Sequence, residues 1–62
     1  MNTDPNTAED RANEEMIAIC DMLAAAETFD LTAEVVWSFG NDRAGGSSVK
    51  EAVDFAMSEW DL

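Results

Sequence analysis

Apolar side chains recur at intervals of three and four toward both ends of this chain. That spacing builds one face of a helix and is incompatible with the strict alternation of a strand. From Ala8 onward Ala12, Met16, Ile19, Leu23 and Ala26 form one stripe, flanked by Cys20. Thr7 is placed to cap that helix, and Asp10 falls at its third position, where a carboxylate meets the positive end of the dipole. Near the other end Ser48-Val49-Lys50-Glu51 has the spacing of a capping box. Beyond it Val49, Val53, Ala56 and Trp60 share a face, with Ala52 and Met57 beside them. Between the two lies Leu31 to Phe39, with Asp30 placed as its cap and Leu31, Val35 and Phe39 on one side. Its Val and Trp residues also suit a strand, but the spacing and a Gly40-Asn41 stop favour helix. Asn41 to Ser47 reads as a flexible loop. The expected fold is all-α: a small three-helix bundle with helices at about 8–27, 31–39 and 49–60. A single acidic domain over residues 7–62 follows a flexible polar lead, residues 1–6, in which Asp4-Pro5 marks extended or turn structure. No internal repeat is expected.

A chain of 62 residues buries only ~60% of its unfolded surface, so its core stabilises marginally and a symmetric partner would add burial. Nevertheless 47% apolar residues, with two Trp, three Phe and four Met, is too much for a disordered acidic tail. Cys20 is the one cysteine and has Ile17, Ile19 and Leu23 for neighbours, which points to a buried, unreactive thiol. The polar N-terminus does not resemble a secretory signal, and no stretch approaches the ~20 apolar residues of a membrane span. The expected location is the cytoplasm, or the host cytoplasm for a phage-encoded chain.

Function is constrained chiefly by charge. Fourteen acidic residues against Arg11, Arg43 and Lys50, with no histidine, give a net charge of −11. A compact domain of this length has a radius of gyration of about 10–11 Å and is roughly 27 Å across. Duplex DNA carries about 16 charges over that span, so direct binding to nucleic acid is disfavoured, as is an anionic membrane. A general base would have to be a carboxylate raised by burial, yet the acids fall on exposed helix faces. Zinc lacks its His or Cys ligands. The segment Gly40 to Glu51 places Ala44 and Gly46 where a calcium loop needs oxygen donors. Arg43-Ala44-Gly45-Gly46-Ser47-Ser48 precedes a helix as an anion cradle would, but its glycines match no phosphate loop. The expectation is a non-enzymatic protein with no cofactor and no metal.

The acids are patterned. Asp10, Glu14 and Asp21 oppose the apolar stripe of the first helix, with Glu15 on its border; Glu27, Asp30 and Glu34 follow at threes and fours. Glu51, Asp54 and Glu59 oppose the Val49–Val53–Trp60 stripe. Like charges at such spacings cost a few tenths of a kcal/mol each, and solvated faces normally mix signs to avoid that cost. Solubility alone would be served by a net charge of magnitude ~2–8. Ile17, Trp37 and Phe55 fall where a helical wheel predicts exposure. Burial of Trp37 on a second face of a sandwiched middle helix is expected, leaving Phe55 as the better anchor for a partner.

In small size, acidity and a lone cysteine, and by no shared motif, the chain resembles the acidic DNA-mimic proteins, anti-CRISPR inhibitors among them. The resemblance implies a phage or mobile-element protein that inhibits a basic, nucleic-acid-binding partner through Asp10, Glu14, Asp21, Glu51, Asp54 and Glu59. The alternative is a helical interaction module or homodimer with a mainly apolar contact through Ile17, Trp37 and Phe55, its acidity serving solubility.

Overall fold

A computed structural model describes the backbone of residues 5–62 and the side chains from Ala8 onward. Met1 to Asp4 of the polar lead lie outside the described residues. The rest is all-helical: α1 spans Pro5–Thr28, α2 Thr32–Ala44 and α3 Val49–Glu59. The three-helix bundle read from the apolar spacing is the fold, and the middle segment is helix rather than strand.

Several boundaries differ from expectation. Pro5 and Asn6 belong to α1, so Thr7 lies inside the helix rather than capping it, and Asp10 sits in the second turn. Proline suits a first helical position, because the N–H it lacks has no partner there. The larger correction concerns α2, which runs through Gly40-Asn41 to Ala44 and takes in half of the supposed flexible loop. The Asn41 side chain donates to the Trp37 carbonyl one turn back, at 2.9 Å, and so joins the helix instead of ending it.

All three helices end in the same hydrogen-bond pattern. In α1 the Leu31 N–H reaches the Ala26 carbonyl and the Asp30 N–H that of Glu27. In α2 Ser47 reaches Asp42 and Gly46 reaches Arg43, while in α3 Leu62 reaches Met57 and Asp61 reaches Ser58. These are Schellman motifs, which turn the chain through one left-handed residue. That residue is Gly46 in α2 (φ 109°), the position where helix and glycine coincide, but aspartate in the other two: Asp30 at φ 58° and Asp61 at φ 57°. Phe29-Asp30-Leu31 and Trp60-Asp61-Leu62 are thus one repeated terminator, aromatic then Asp then Leu, although no repeat was expected. Asp30 ends α1 instead of capping α2, whose N-cap is Leu31 with no side-chain hydrogen bond. Both aspartates bear a left-handed backbone, and both set a negative charge at the negative end of a helix dipole. Asp30→Gly and Asp61→Gly are each expected to stabilise the fold by about 0.5–1 kcal/mol. Thermal melts check this; a loss of stability in both would mean that the carboxylates make contacts outweighing strain and dipole.

The start of α3 is as expected. The Ser48 hydroxyl accepts from the Glu51 N–H at 3.1 Å, and the Glu51 carboxylate accepts from the Ser48 N–H at 2.8 Å. The bond from the Ser48 backbone, then that from its side chain, holds the Glu51 carboxyl below the ordinary glutamate value.

One core joins the helices: Met22 and Ala26 of α1, Val35 of α2, and Val53 and Ala56 of α3. Ile19, Leu23, Leu31, Phe39, Val49, Met57, Trp60 and Leu62 pack around it. The α3 stripe is the one read from the sequence. Buried Ser38 joins the expected α2 face, where its Oγ accepts from Trp60 Nε1–H at 2.9 Å. In α1 only half of the stripe is covered. At 1.5 Å per residue α1 is about 36 Å long, against about 20 Å for α2 and 16 Å for α3. Its neighbours therefore cover it from Ala18 onward, and Ala12 and Met16 stay exposed. Where α1 is covered it meets two helices at once, so a wider arc is buried and Met22 becomes its most buried large side chain. The overhang makes the molecule 44 × 24 × 15 Å, with a radius of gyration of 13.0 Å instead of the 10–11 Å of a compact chain.

Candidate partner interface

The first acidic line starts on the overhang of α1 and runs into its packed half. Asp10, Glu14, Ile17 and Asp21 follow one another at spacings of four, three and four, and all are exposed. Such spacing keeps them on one flank over about 16 Å of axis. Ile17, 58% exposed, is thus an apolar contact bracketed by carboxylates. Cys20 lies a turn from it and is exposed, contrary to the buried thiol expected. At about 100° per residue Cys20 is two residues, and so some 160–200°, from core-facing Met22. Apolar neighbours in sequence say little about burial when they sit on other sides of the helix.

α3 repeats the pattern. Glu51, Phe55 and Glu59 recur at fours along one exposed flank, with exposed Asp54 beside them. The structure therefore places Ile17 between Glu14 and Asp21, and Phe55 between Glu51 and Glu59.

It does not place Trp37 with either group. The expected second buried face of α2 does not form, and Trp37 is 70% exposed. Opposite the core, the outer side of α2 presents Ala33, Trp37, Gly40 and Ala44. A bundle of three helices buries one arc of each, so a middle helix in sequence is not a middle helix in space. Phe29 and Val36 are further exposed apolar side chains that the sequence does not single out, and Met16, expected on the apolar stripe, is exposed as well. Phe29 is recognisable only once Phe29-Asp30-Leu31 is seen as a terminator, and Met16 only once the length of the overhang is known.

The elongated shape lowers the expected charge density. Eleven net charges along 44 Å amount to one per 4 Å. Duplex DNA has one per ~1.7 Å, but a single strand has one per ~3.4 Å. The protein thus approaches the linear charge of one strand rather than two.

The supposed anion cradle is otherwise engaged. Arg43 Nη1 donates to the Ser47 carbonyl at 2.7 Å, and the Ser48 hydroxyl is taken up in the capping box. A recess of about 630 Å³ along Glu9, Asp10, Ala12, Asn13 and Met16 is lined, among the described residues, by α1 and is open. Among the described residues no cluster of three or more His, Cys, Asp or Glu side chains is arranged to hold a metal ion, and no helix is long and apolar enough to cross a membrane. No protein-family model, no curated protein and no solved structure matches the chain.

Proposed function

We propose that this is a non-enzymatic acidic protein that binds and inhibits a basic, nucleic-acid-binding protein or complex by presenting a strand-like line of carboxylates. The supporting observation is one exposed flank of α1, on which Asp10 and Glu14 of the overhang continue into Asp21 of the packed half, whose side chain also faces outward. The like charges of this flank oppose helix formation, and it gains no packing from α2 or α3. A partner groove lined by Arg and Lys would supply both the neutralising charge and the missing contact. The six carboxylates meet the groove's cations, and Ile17 and Phe55 exclude water at the centre of each acidic line. A phage or mobile-element origin, with action on a host defence complex of the anti-CRISPR kind in the host cytoplasm, fits this chemistry.

The test is capture from a nuclease-treated lysate of the source cell, with a salt gradient, competing single-stranded or duplex DNA and two variants. The expected partner is a nucleic-acid-binding protein that elutes at moderate salt and is displaced by the DNA. In Asp10→Asn/Glu14→Gln/Asp21→Asn its affinity falls about tenfold at low salt, three exposed pairs contributing ~0.2–1 kcal/mol each. A partner that resists high salt, ignores the triple variant and is lost with Phe55→Ala would overturn mimicry in favour of an apolar interaction module. The exposure of Trp37 is what favours that second reading.

A further inference from the structure

We infer that the outer face of α2 is a self-association surface, on which a second copy of this chain docks antiparallel about a two-fold axis. Ala33, Trp37, Gly40 and Ala44 recur at spacings of four, three and four, which is the period of a helix–helix seam. Gly40 is the telling residue. It lies inside α2, has no left-handed backbone, and a Cβ built on it meets no atom within 4 Å. A glycine inside a helix is destabilising relative to alanine, and nothing among the described residues requires one here. Close approach of another backbone or a large side chain does require one.

The seam complements itself. In an antiparallel pair centred between Ser38 and Phe39, Trp37 of one copy is level with Gly40 of the other. Ala33 is likewise level with Ala44. The largest side chain of the seam thus meets the position that has none, twice by symmetry, as a two-fold contact requires. Charge points to the same occupant. Six of the acids lie on α1, whereas α2 carries Glu34, Asp42 and Arg43, none of them on the seam. This is the side on which two copies of charge −11 meet with least repulsion, and their helix dipoles run antiparallel. Trp60 widens the apolar face, lining with Ala33, Glu34 and Trp37 a shallow recess of about 360 Å³. A seam about 16–20 Å long and 10 Å wide spans about 160–200 Å² of each copy, well below a standard interface, so the dimer is weak and reversible.

Sedimentation equilibrium from about 20 µM to 1 mM, the range of a weak complex, is the test. Mass rising toward the dimer with concentration is expected, and more steeply at high salt, where repulsion is screened. That salt response is opposite in sign to the one expected for the acidic partner, so either reading can fail without the other. Gly40→Leu keeps the monomer folded, raises Tm by a few degrees and abolishes the dimer by filling the space that Trp37 needs. In a Cys20→Ser background, Ala33→Cys mixed with Ala44→Cys forms a disulfide dimer faster than either variant alone. A monomer at every concentration overturns the inference. So does a dimer that survives Gly40→Leu, and so does cross-linking of Ala33→Cys to itself. A monomer that instead binds only a foreign amphipathic helix on this face also counts against it.

Discussion

Met22→Ala is expected to remove about 2–5 kcal/mol of stability, the usual cost of truncating a fully buried methionine. Met22 is 1% exposed and sits where α1 meets the cluster formed by Val35, Val53 and Ala56. A domain of this length stands only ~3–9 kcal/mol above its unfolded state, so the loss is a large fraction of the total. Tm falls by ten degrees or more, at ~4–8 °C per kcal/mol for so small a domain. In urea the midpoint drops while the slope is unchanged, since the surface exposed on unfolding is nearly the same. Met16→Ala is the control. It makes the same chemical change six residues earlier on the same helix, at a side chain 61% exposed, and is expected within about 0.5 kcal/mol of the parent. Equal effects at Met16 and Met22 would show that the first half of α1 is packed in solution, and would remove the overhang on which the proposed interface stands.

Trp60→Ala is expected to cost about 2–4 kcal/mol, somewhat below a fully buried tryptophan because the ring is only half-buried. Two contributions add. The indole packs on the rim of the core, and its N–H donates to Ser38 Oγ at 2.9 Å. Ser38→Ala isolates the second: it leaves the indole donor without its partner at about 1 kcal/mol, offset by the better helix propensity of alanine, roughly half as large. A double-mutant cycle over the two positions, read from urea midpoints, should give a coupling of roughly 0.5–1.5 kcal/mol. Zero coupling would mean that water replaces Ser38 at no loss, leaving Trp60 to act through packing alone.

The helical class was legible because period and caps are local. Ser48 and Glu51 lie three residues apart and satisfy each other's backbone without help from the rest of the chain, so α3 starts where the sequence says. Its face Val49–Val53–Ala56–Trp60 was legible too, since α3 is short enough to be covered along its whole length. Gly40 misled because glycine is a stop signal only where the backbone turns left-handed, and that demand falls on Gly46. Asp30 misled because aspartate suits both a helix start and a left-handed helix end, and the turn from α1 into α2 decides between them.

The candidate interface divides the same way. That Asp10, Glu14 and Asp21 share a flank, and that Glu51 and Glu59 bracket Phe55, follows from 3.6 residues per turn, so the sequence alone determined those groupings. It also determined the net charge and with it the sign of the partner sought. The same period put Ile17 and Phe55 on the outer arcs, where both are exposed, but which other apolar side chains stay uncovered was decided by tertiary structure. Burial at Met16, Cys20 or Trp37 depends on how far α2 and α3 reach along α1 and on which arc of α2 turns inward, and neither length nor rotation is written at the residue itself.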